Sequence, residues 1–175
     1  MIRKLSVLVL ALSLLFALTG CGGSAATGEK TEAKTVTVTD AAGRTVTLKQ
    51  PIKSYAISTF DLIDFIIPLK GEEAFSMLKG VGDSGGKKSY DKIYEAKFPQ
   101  YKDQWKIISP HNAPFDAEAI LTAHPDVLIV NSAMQGHLHA MDIEAKLKDA
   151  GIALLLIDVP GTGGQSPQDL YRLLG

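Results

Sequence analysis

The chain has 175 residues, of which 46% are apolar and 21% charged, with a formal net charge of −1 and one cysteine. These proportions suit a globular protein with its own core. The near-neutral balance, with no lysine–arginine cluster, gives no support for nucleic-acid binding or polybasic membrane association, and a lone cysteine excludes an internal disulfide.

At the amino end, Arg3 and Lys4 form a short positive region. Leu5 to Leu18 is apolar except for Ser6 and Ser13, and it runs into Thr19-Gly20-Cys21. A membrane-spanning helix needs about 20 apolar residues, so this run has the length of a signal-peptide core. The small residues before Cys21 can lie extended in a peptidase site, and the thiol can then be acylated. Leu18-Thr19-Gly20-Cys21 resembles the lipobox of bacterial lipoproteins. That resemblance implies a signal peptide over 1–20 and a lipid on Cys21, holding the protein on the extracytoplasmic face of the cell membrane. Two or three acyl chains anchor stably, at about 0.8 kcal/mol per buried methylene. The chain from Cys21 onward keeps 16 basic and 19 acidic side chains. Residues 21–34 carry nothing larger and apolar than alanine after the cysteine, and read as a flexible tether.

The folded lobe is expected over 35–165. Val36 and Val38 alternate with threonines, as do Val46 and Leu48, around an Asp40–Arg44 turn in which Gly43 can take positive φ. This predicts a β-hairpin. Tyr55–Ser58 then reads as a buried strand, and Asp61 as the cap of a helix over Leu62–Ile66 that Pro68 kinks or ends. Glu72–Leu78 continues helically toward Gly80, and Val81 marks a very short strand. A helix is predicted over Tyr90–Phe98, and a strand over Trp105–Ile108. Asp116 caps a helix through Ala123. Asp126–Val130 is the clearest strand, Ala140–Ala150 an amphipathic helix closed by Gly151, and Ile152–Ile157 a further apolar strand. Ser166 starts a last helix that runs to Gly175.

Strands apolar on both faces, separated by helices, imply an α/β fold: the hairpin, then a parallel sheet flanked by helices. Ligands of such sheets collect at the carboxyl ends of the strands. Ser58, Thr59 and Phe60 lie at the first of these ends, where a helix amino terminus attracts anionic groups; Asp61 is explained by capping alone. Gly82, Asp83 and Ser84 open a glycine-rich loop that lacks the Gly-Lys-Ser/Thr ending of a phosphate loop. It reads as a flexible turn or as backbone that lets a bulky ligand approach. His111 and Asn112 occupy a polar loop before the Asp116 helix. The segment after the strongest strand offers Asn131, Ser132, Met134, Gln135, His137 and His139. On a strand, His137 and His139 would share one face and could ligate a metal, with His111 as a third donor if the loops converge. No cysteine or neighbouring acidic pair completes such a site. No nucleophile elbow or triad spacing is present, so no enzyme is expected.

Several segments resemble the substrate-binding lipoproteins of ABC importers for iron–siderophore, haem or cobalamin. They are Val36–Leu48, Asp116–Leu121 followed by His124-Pro125-Asp126-Val127-Leu128-Ile129, and Ala150-Gly151-Ile152 leading to Leu156-Ile157-Asp158. The likeness covers about 140 residues. It implies two α/β lobes joined by a long helix, with a metal chelate held between them by a monomer and passed to a permease and its ATPase. No resident cofactor is implied. Glu72 and Glu73 are candidates for permease docking. By this likeness 166–175 begins the interlobe helix and the carboxyl-terminal lobe is absent. The other readings are a surface lipoprotein that binds a metal ion through histidines, and a truncated remnant that binds nothing.

Overall fold

The computed structural model describes residues 34–82, 86–109, 113–139 and 143–159. Cys21 and the proposed signal and tether up to residue 33 lie outside the described residues, as do Asp83, Ser84, His111, Asn112 and the 166–175 segment. No helix among the described residues is long and apolar enough to cross a membrane.

Strands β1 (Lys34–Thr39) and β2 (Thr45–Gln50) form the expected antiparallel hairpin. Asp40 and Gly43 close its turn, with Gly43 at φ 73°. The main sheet is parallel and has five strands: β3 (Tyr55–Ile57), β4 (Leu78–Gly82), β5 (Lys106–Ser109), β6 (Val127–Asn131) and β7 (Ala153–Ile157). Their order is β5-β4-β3-β6-β7. The first strand thus sits in the middle, and the chain winds outward from it in both directions.

Side chains alternate across these strands, as a two-residue period demands. Tyr55, Ile57, Val127, Ile129, Leu155 and Ile157 face one core, while Ala56, Leu128, Val130 and Leu156 face the other. The first core is covered by α1 (Ile63–Lys70), α2 (Glu73–Met77), α3 (Gly86–Ile93) and the hairpin. The second is covered by α4 (Ala117–Ala123), α5 (Gly136–His139) and α6 (Ile143–Asp149). Helices change face where the winding changes direction, which keeps the crossovers right-handed.

Two arrangements hold the lobe together. One is an aromatic cluster of Phe60, Phe75, Tyr90, Tyr94, Phe98, Tyr101 and Trp105, with Tyr90 edge-on to Trp105 at 4.8 Å and Phe75 stacked on Tyr101 at 5.8 Å. Such pairs add about 1 kcal/mol each beyond their area. The other is a clasp at Asp40. Its side chain is fully buried and pairs with Arg44 at 2.7 Å. It accepts N–H groups from Ala42 at 3.0 Å, Arg44 at 2.9 Å and Leu156 at 3.4 Å. The Ala41 N–H donates to the Leu156 carbonyl at 2.9 Å, so the hairpin turn caps the open edge of β7. Arg44 also reaches Glu144 of α6 at 3.3 Å. Burial alone would raise the Asp40 carboxyl, but the bonds and charge of Arg44, with Leu156, outweigh it and hold it below the usual value.

Several local expectations are corrected. Asp61 does not cap: it lies inside a 3₁₀ turn, Phe60–Leu62, whose N-cap is Thr59, and no side chain caps that turn. Pro68 does not end its helix, which runs on to Lys70. Pro68 is exposed, so water can satisfy the carbonyl that a proline leaves unbonded one turn earlier. Leu78–Gly82 is a full strand rather than helix followed by a single strand residue. The Tyr90 helix stops at Ile93 and gives way to turns and a 3₁₀ turn at Pro99–Tyr101. Asp116 caps as expected, accepting from the Ala119 N–H at 3.0 Å.

Candidate functional site

The winding reverses between β3 and β6. In open parallel sheets this switch point leaves a crevice beyond the carboxyl ends of the two strands. Ser58 and Thr59 leave β3 there, Asn131 and Ser132 leave β6, and Gly82 ends β4 beside them.

The roles divide on burial. Ser58 is fully buried. Its N–H donates to the Ile129 carbonyl at 2.9 Å, and its Oγ accepts the Asn131 N–H at 3.0 Å. It fastens the two switch-point strands and leaves no side chain for a ligand. Phe60, expected at the ligand face, is 2% exposed and packs against Tyr90, Tyr94 and Trp105. Gly82 is required by its neighbour: a Cβ there would stand 1.8 Å from the Ser58 carbonyl oxygen. Its missing side chain serves close strand packing.

Thr59 is half-buried and precedes the 3₁₀ turn. Asn131 accepts the Ala133 N–H on Oδ1 at 3.1 Å, which shapes the next 3₁₀ turn, Ser132–Met134, with Gln135 at its end. Ser132 Oγ donates to Asp158 Oδ1, tying the β6 and β7 exits together. Met134 packs on the second core.

His137 and His139 lie on a helix, α5, and not on a strand. The two-residue strand period that would put them on one face therefore does not apply. His137 is half-buried against Phe115 and its Nδ1 lies 3.0 Å from the Ala113 carbonyl. A carbonyl can only accept, so Nδ1 carries the proton. A neutral His137 therefore keeps its Nε2 lone pair for a ligand. Ser109 Oγ donates to the same Ala113 carbonyl at 3.2 Å, so one oxygen joins the β5 exit to α5. Among the described residues no cluster of three or more histidine, cysteine or acidic side chains could hold a metal ion.

One other feature was not evident from the residues. A cavity of 230 Å³ lies under the hairpin, lined by Val38, Leu48, Tyr55, Ile66, Val127 and Leu155, at the amino half of the sheet. Glu72 and Glu73 are exposed on the connection into β4, also toward the amino end. Glu72 there accepts from Gln100 at 2.9 Å and Tyr101 at 3.1 Å.

The arrangement gathers small hydroxyls, an amide and one oriented imidazole along one edge of the sheet. No family model and no curated protein matches the chain. Solved structures do. A periplasmic solute-binding protein from Veillonella parvula DSM 2008 shares 24% identity over 81% of this chain and 40% of its own, with a TM-score of 0.65. The TroA-like periplasmic binding protein FepB from Veillonella parvula shares 24% over 70% and 36%, at 0.58. The molybdate-bound periplasmic binding protein MolA from Haemophilus influenzae shares 18% over 79% and 38%, at 0.54. The chain has the fold of these periplasmic solute-binding proteins, and it spans two fifths or less of each of these three.

Proposed function

We propose that this chain supplies one ligand-binding lobe of a lipid-anchored solute-binding protein that serves an ABC importer. Its cargo is a metal chelate: an iron–siderophore, haem or a corrinoid. The mechanism is capture against the carboxyl edge of the sheet and release to a permease, with no covalent step. The observation that carries this reading is the strand order β5-β4-β3-β6-β7, which brings Thr59, Gly82, Asn131 and Ser132 to one switch point. The fold of the solved structures supports the same class.

A chelate suits this edge better than a bare ion. A bare ion needs three or four protein donors, whereas a chelated metal arrives with most of its coordination filled. His137, with Nδ1 held by Ala113, can add a single donor. Calorimetric titration of the full chain with ferric siderophores, haem and cobalamin tests the proposal. Saturable binding of one of them is expected, weakened about tenfold or more by His137→Ala if Nε2 meets the metal. Flat titrations with all three would sink the reading and favour a chain that binds nothing by itself.

A further inference from the structure

The hairpin turn is fastened to β7 at Leu156, but beyond that point two strand edges are left facing one groove. The bond from the Asp40 N–H to the Arg44 carbonyl sets the alternation of the β1–β2 ladder. Thr45, Thr47 and Lys49 therefore turn their N–H and C=O groups away from β1. On β7, residues bonded to β6 alternate with residues facing outward. Leu156 faces outward, to Asp40 and Ala41, so Leu154 faces outward too. Among the described residues, none hydrogen-bonds to these groups of Thr45, Thr47, Lys49 or Leu154. Both edges line a single groove of 570 Å³. β2 leads away from the clasp while β7 leads toward it, so the two strands run in opposite senses. The hairpin packs on the first face of the sheet, so a strand laid in the groove would extend one of these edges, that of β2.

The charges around the groove select the occupant. Lys49 and Lys148 line it and are exposed, and among the described residues neither has an ion-pair partner. His124 adds an exposed imidazole at the end of α4. The acidic residues of the groove are partly engaged, although the buried Glu144 Oε1 has no hydrogen-bond partner among the described residues. Glu144 pairs with Arg44, and Asp126 accepts the Lys53 and Ser54 N–H groups at 2.8 and 2.9 Å. We propose that this groove binds an extended acidic peptide segment of a partner protein by strand addition. Main-chain bonds to Thr45, Thr47 and Lys49 supply the pairing, and the two lysines supply the preference for acidic side chains.

The test is fluorescence anisotropy of a labelled hexapeptide of alternating glutamate and valine, titrated with the full chain. Saturable binding is expected. It should weaken at least tenfold when alternate peptide amides are N-methylated, which leaves charge intact and blocks pairing. It should weaken similarly in a K49E/K148E variant, and in Thr47→Pro, where proline removes an outward N–H and spares the β1 ladder. The N-methylated peptide needs no variant to fold. Binding that ignores N-methylation but is lost with the lysine reversals would reduce the groove to surface charge and overturn strand addition. So would the absence of saturable binding. A dimer in sedimentation that Thr47→Pro dissociates would assign the groove to a second copy of the chain and overturn the peptide proposal.

Discussion

Asp40 is a carboxylate sealed from water by its own partners, and its loss would leave them stranded. Asp40→Ala removes the acceptor of three N–H groups and the counter-charge of Arg44. We expect a loss of about 3 kcal/mol in chemical denaturation. The pH dependence follows from the sign of the shift. The folded carboxyl is held below its ordinary value of 3.8, so its contribution is complete above that value. It is lost as pH falls through the lower folded value. Asp40→Asn should therefore flatten the acid limb of the stability curve below about pH 4. Tyr94 behaves in the opposite sense. Burial, then the Asp64 carboxylate that accepts its O–H at 2.5 Å, push it up to about 12. Its contribution is complete below the ordinary tyrosine range and fades as pH rises from about 10 toward 12. An ultraviolet titration of Tyr94→Phe should lack that late-ionising phenol. The residue scale is also where sequence reasoning was weakest. Ser58 and Phe60 sit at the right strand end, but their side chains face inward. No spacing in the chain distinguishes a serine that binds cargo from one that bolts two strands together.

At the scale of elements, β3 and β4 approach closely at Gly82. Gly82→Ala would drive a methyl into the Ser58 carbonyl. Backbone cannot yield as a side chain does, so a cost of about 3 kcal/mol or more is expected in thermal unfolding. Ser58→Ala is milder, about 1–2 kcal/mol, because one buried N–H, that of Asn131, loses its acceptor. Elements were legible where local chemistry decides them. The apolar runs Val127–Val130 and Leu154–Ile157, the Asp116 cap and the Gly43 turn all carry their own signal. They were misread where distant packing decides. α3 gives way at Ile93 and the chain folds back through turns in which Tyr94, Phe98 and Tyr101 close on Phe75, an aromatic contact set with no helical or strand period. The histidine pair was assigned a strand period, but Asn131 turns the chain into helix before it reaches His137.

At the scale of the whole molecule, the parallel character of the sheet could be read from its doubly apolar strands, but strand order could not. The position of β3 at the centre follows from which faces the helices cover, and that is settled only in three dimensions. The order matters most for function, since it creates the switch point. The clasp at Asp40 is non-local to an unusual degree, bonding residues 116 positions apart. Closing a loop of that length costs about 4 kcal/mol of chain entropy, so the clasp must form late. A polypeptide grows from its amino end, and the hairpin is therefore complete long before Leu156 exists to receive it. Until then the Asp40 carboxylate has Arg44 but no strand edge to hold. The buried clasp thus works as a timer on maturation: only a chain made at least as far as β7 can seal its first turn.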